Sequence, residues 1–201
     1  MESGGLDIDI VSKQEPHEFF DKEFYEHIPE RRQRKHVVSN VMVYFMNSKN
    51  LKLSGWQPIS EDFKKMVGTG RDEDSERLKH TGNELLWLIS NMTDLFISRY
   101  APKMGLEYFI QAGQLAYSHA FKIESRLKGN NPSVFVFDEM ADNYKNLVRA
   151  IFESRVRFLH PDKDLSEKVI REMDDVLYYG SLPQLYKILH GRSVEKPPTL
   201  H

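Results

Sequence analysis

An all-α fold follows from three observations on this 201-residue chain. Apolar residues recur at three-to-four spacing in segment after segment, the period of one helix face. Gly and Pro collect between those segments, where they punctuate helices. Beyond the first few residues, no stretch alternates apolar and polar as a half-buried strand does. The expected architecture is a globular bundle of about seven or eight helices around three long amphipathic ones, because each helix must bury its stripe against another.

Residues 1–15 read as a mobile acidic tail, in which Leu6, Ile8 and Ile10 alternating with Asp7 and Asp9 also fit a short edge strand or a linear motif. A short helix is expected over His17 to His27, with Phe19, Phe20, Phe24 and Ile28 on its inner side. Pro29 suits the first turn of the next helix, where its missing N–H is harmless. That helix runs to about Asn47 and carries Val37, Val38, Val41, Met42 and Phe45 on one face. Leu51 to Pro58 reads as a loop, and Ser60 caps a short helix to Val67. The segment Gly68 to Asp74 reads as a mobile charged loop.

A long helix is then expected over Asp74 to Tyr100, on the stripe Leu78, Leu85, Leu88, Ile89, Met92 and Phe96. The next spans Leu106 to Lys128 and stops at Gly129-Asn130-Asn131-Pro132. Its small face, Gly113 with Ala116 and Ala120, lets another helix approach closely and marks it as central. The stripe from Phe137 to Phe158 predicts one uninterrupted helix over Ser133 to Leu159, closed by Pro161. Asp164 with Glu167 resembles a capping box for a helix ending at Gly180. A last short helix opens at Ser181, and residues 191–201 form a flexible tail. The whole is one helical domain over 16–190.

Composition narrows the function. Charged residues make up 29% and the formal net charge is −2, against a general nucleic-acid coat. With no cysteine there is no disulfide, thiolate chemistry or sulfur-ligated metal. No apolar run approaches the about 20 residues of a membrane span. A cytoplasmic or nuclear protein is expected. The histidines lack zinc-site spacing, and phosphate-loop, dinucleotide and nucleophile-elbow motifs are missing, so no cofactor, metal or catalytic residue is assigned.

The basic run Arg31, Arg32, Arg34 and Lys35 stands at a helix start, where the dipole disfavours cations. One reading pairs it with Asp21, Glu23, Glu26 and Glu30; the other makes it a binding patch for an acidic protein surface or for nucleic acid. Trp56, in a loop, is an interface-type aromatic. Together these predict a non-enzymatic, regulatory or adaptor module that binds another protein, with homodimerisation an open option.

Two short motifs resemble known families. Arg155 followed after four residues by His160 resembles the signature of HEPN-domain ribonucleases, all-α bundles that pair two such motifs on RNA. The resemblance implies Arg155 on phosphate and His160 in acid–base work, although Val156 stands where that family has a polar residue. His160-Pro161-Asp162 resembles the loop of J-domain co-chaperones, without their short first helix before it. The structural alternative is an arginine paired at the core edge and a proline turn between helices.

Overall fold

The computed structural model describes residues 16–46, 72–91, 106–129, 131–159 and 162–179. Both expected tails, the Ser60 helix, Trp56, His160, the end of the 74–100 helix and the last short helix lie outside the described residues. Of the described residues 88% are helical and none is in a strand, so the chain is an all-α bundle.

Helix α1 spans Pro16–Glu23 and is shorter than its pattern. A turn over 24–27 follows, with Phe24 and Ile28 delivered to the core. Helix α2 covers 31–46 in three stretches: Arg31–His36, a π-helical stretch Val37–Val43, and a closing turn Tyr44–Met46. The expected α-helical register therefore widens in its middle. Apolar spacing cannot foretell this, since Val37, Val38, Val41 and Met42 reach the core together either way. Pro29 is not in the first turn; Glu30 caps the helix, its carboxylate accepting from the Arg32 N–H.

Helix α3 is Asp72–Asn91, so its acidic run belongs to the first helical turn rather than to the preceding loop. Negative charge is favoured there by the dipole. Helix α4, Leu106–Lys128, has the expected bounds, and Gly129 follows in the left-handed conformation at φ 63°. The expected single helix over 133–159 is two: α5, Phe135–Asp142, and α6, Tyr144–Leu159. Asn143, at φ −94° and ψ 10°, makes the break. The stripe passes through it because the bonds Asn143 N–H to Glu139 O and Leu147 N–H to Asn143 O keep the helical direction. Helix α7 is Lys163–Tyr179. Its cap is Asp162 rather than Asp164: the Asp162 carboxylate accepts from the N–H groups of Asp164 and Leu165 at 3.0 and 3.1 Å.

As its small face foretold, α4 lies at the centre, packed on α3, α5 and α6. Helix α3 also meets α6 and the π stretch, α7 lies on α6, and α1 lies on the π stretch. One contiguous apolar cluster joins residues of α2 to α7 with Phe24 and Ile28. Close approach depends on two glycines. A methyl on Gly113 would overlap Tyr144 at Cζ and Oη, and one on Gly82 would lie 2.8 Å from the Tyr117 ring.

Polar groups fix the packing. Tyr144 donates to the Gly82 carbonyl at 3.2 Å, and Tyr117 donates to Asn83 Oδ1 at 2.8 Å. His36 Nε2 reaches the same oxygen at 2.9 Å, which assigns the N–H to Nε2. Glu153, buried in α6, takes Arg157 from its own helix and Arg149 one turn away, while Arg149 also binds Asp174 of α7.

Candidate functional site

Helices α1 and α2 run antiparallel, which sets two i,i+4 ladders face to face. His17 and Asp21 come from α1; Arg31, Lys35 and Ser39 come from α2. With Val38 these residues line a pocket of about 250 Å3. Arg31 and Lys35 are exposed and form no ion pair among the described residues. Ser39 Oγ lies 3.5 Å from His17 Nδ1, a long contact across the pocket's far end.

The basic run is divided by the turn of the helix. Arg34 points inward and is only 5% exposed. Its Nε donates to Asp21 at 2.9 Å, and its Nη1 donates to the carbonyls of Ile28 and Pro29 at 2.8 and 3.3 Å. Its guanidinium also stands 4.9 Å over the Tyr25 ring. Arg34 thus staples the α1–α2 turn and is unavailable to a partner. Arg32 is exposed, with a long 3.5 Å contact to the Pro132 carbonyl. The pairing reading of the run thus holds for Arg34, while Arg31 and Lys35 keep their solvent-facing charge. Sequence reasoning missed His17 and Ser39, although each stands four residues from another lining residue.

A second polar cluster lies deeper. Burial raises the Glu124 carboxyl's pKa, but Lys128, Lys79 and the Ser75 hydroxyl outweigh it and hold the group down at about 2. Lys79 also pairs with Glu76. Burial lowers the His36 pKa, partly offset by its bond to Asn83 and reinforced by Lys79 nearby. The hydroxyls of Tyr117 and Tyr144 are pushed well above their ordinary range by burial. The tyrosine hydroxyls, Asn83 Oδ1 and the Glu124 oxygens all engage atoms of the fold, so this cluster sets helix register rather than presenting a reactive group.

Arg155 is half-buried within α6, and His160 lies outside the described residues. A wider depression of about 540 Å3 runs past His119, Lys122, Ser125 and Arg126, but among the described residues α4 alone lines it. Burial and then Lys122 lower the His119 pKa. Among the described residues no cluster of His, Cys, Asp and Glu could hold a metal ion. No helix among them is long and apolar enough to cross a membrane. The chain matches no family model, no curated protein and no solved structure.

Proposed function

We propose that the chain is a helical interaction module that takes an acidic segment of another protein on the face formed by α1 and α2. One observation carries the reading. Arg31 and Lys35, exposed and in no ion pair among the described residues, stand beside a pocket near the positive end of a helix, where a cation in the first turn costs a few tenths of a kcal/mol. A neighbouring arginine of the same run is fully engaged by the fold. Charge kept where the local field opposes it suits an anionic partner.

The test is a quantitative pull-down comparing wild type with Arg31→Gln/Lys35→Gln, assayed for bound protein and for nucleic acid. Both substitutions are on exposed side chains, so the variant keeps the wild-type unfolding curve. Loss of a discrete protein partner from the variant supports the reading. A partner retained in full, or recovery of nucleic acid alone, overturns it.

A further inference from the structure

We infer that the α1–α2 pocket accepts a single phosphomonoester group, carried on a phosphorylated serine or threonine of the partner; this deepens the basic-face reading and rests on it. Charge is the first argument. Arg31 and Lys35 contribute two positive charges, and the one carboxylate in the wall, Asp21, is matched by Arg34 at 2.9 Å. The pocket therefore presents a net charge of about +2, equal and opposite to a phosphate monoester at about −1.5 to −2. A carboxylate would leave one cation uncompensated.

Donor geometry is the second argument. A planar guanidinium, an ammonium one helical turn away, the Ser39 hydroxyl and the His17 imidazole approach from two different helices. The arginine fork suits two oxygens of a tetrahedral anion and the ammonium a third, with the hydroxyl and imidazole at the pocket's far end.

The surroundings argue against a polyanion. Glu18, Glu26 and Glu30 are exposed on the same two helices and their connecting turn, where they offset the exposed Lys22 and Arg32. A nucleic-acid backbone needs a track of cations for successive phosphates. Here only two cations, Arg31 and Lys35, line the pocket, which suits one anionic group.

The experiment uses the full chain, isotope-labelled, followed by amide NMR shifts. The probes are a short peptide with one phosphoserine, the same peptide with serine or aspartate in its place, inorganic phosphate, and oligothymidylate. The phosphopeptide and inorganic phosphate should move the same amides, those of His17, Lys35 and Ser39. The aspartate peptide, and Arg31→Gln/Lys35→Gln with the phosphopeptide, should each bind about tenfold more weakly. The salt slope should be about two or less, as for one anionic group. Equal binding of the aspartate peptide overturns the phosphate assignment and leaves the basic face standing. No phosphopeptide binding, binding untouched by the double substitution, or tighter binding of oligothymidylate overturns the proposal. The basic-face reading fails separately, through the pull-down, if the variant keeps the partner.

Discussion

Replacing Gly113 by alanine should destabilise the protein, although the substitution lies inside a helix where alanine is intrinsically better by about 1 kcal/mol. The added methyl would overlap Tyr144 Cζ and Oη and lie 2.7 Å from Cε2. Tyr144 is fully buried, and its ring packs against Tyr117 at 5.7 Å between centroids, so it has nowhere to swing. Overpacking of this kind costs about 1–3 kcal/mol. Displacing the ring also breaks its bond to the Gly82 carbonyl, and a buried acceptor left unpaired costs about 1–3 kcal/mol more. Against the propensity gain, the net loss is about 3 kcal/mol, or a fall in Tm of about 6–12 °C for a chain of this size. Urea and thermal unfolding followed by circular dichroism would measure it. The same substitution in a Tyr144→Leu background should cost far less, giving a coupling of about 2 kcal/mol. An unchanged or raised Tm for Gly113→Ala, with a native spectrum, refutes the close-approach argument.

Three further outcomes test the rest of the architecture. Arg34→Gln leaves the Ile28 and Pro29 carbonyls without their side-chain donor and should cost about 2–4 kcal/mol in urea unfolding, whereas Arg31→Gln and Lys35→Gln should stay within about 0.5 kcal/mol. Asp162→Ala removes the cap of α7 and should cost about 1 kcal/mol, with no matching loss for Asp164→Ala. His36 has a folded pKa lowered from 6.5, so the unfolded state binds the proton more readily. Stability should be full above that pH and fall as pH drops below it, and His36→Gln should flatten the slope between pH 7.5 and 5. Glu124 is silent in that window, because its contribution is complete above 4.5 and is lost only as pH falls towards 2.

What the sequence made legible depended on whether a signal was local. The bounds of α4 were readable because Gly129 supplies the left-handed residue a helix end wants, and its small face was readable because Gly113 and Ala116 stand three apart. The break at Asn143 was not readable, since an unbroken apolar stripe is compatible with a kink that preserves the helical bonds on both sides. The π stretch was hidden for the same reason: apolar spacing reports the buried face, not the hydrogen-bond register. Asp162 and Asp164 compete as caps on sequence alone, and the bonds from the Asp164 and Leu165 N–H groups to the Asp162 carboxylate decide between them. In the site, the charge type of the basic run was plain but its division was not. Arg34 differs from Arg31 only in helix rotation and in the carbonyls that the turn over 24–27 and Pro29 bring within its reach.

That division gives Arg34 an influence on binding that does not require contact with the ligand. Asp21 lines the same pocket as Arg31 and Lys35, and Arg34 neutralises it. Without Arg34 the pocket's net charge falls from about +2 to about +1, and an incoming phosphate meets a bare carboxylate. At about 6 Å in a water-like medium that repulsion is about 1.0–1.4 kcal/mol for a phosphate of about −1.5 to −2, a factor of about six to ten in affinity. Arg34→Gln, assayed well below its lowered Tm, should therefore bind the phosphopeptide about six- to tenfold more weakly. Asp21→Asn added to it removes the carboxylate as well and should restore the affinity while leaving the stability low, because the Ile28 and Pro29 carbonyls still lack their donor. Charge balance and turn geometry then separate cleanly. If the double variant binds as weakly as Arg34→Gln, Arg34 acts by shaping the turn and not by neutralising the pocket wall.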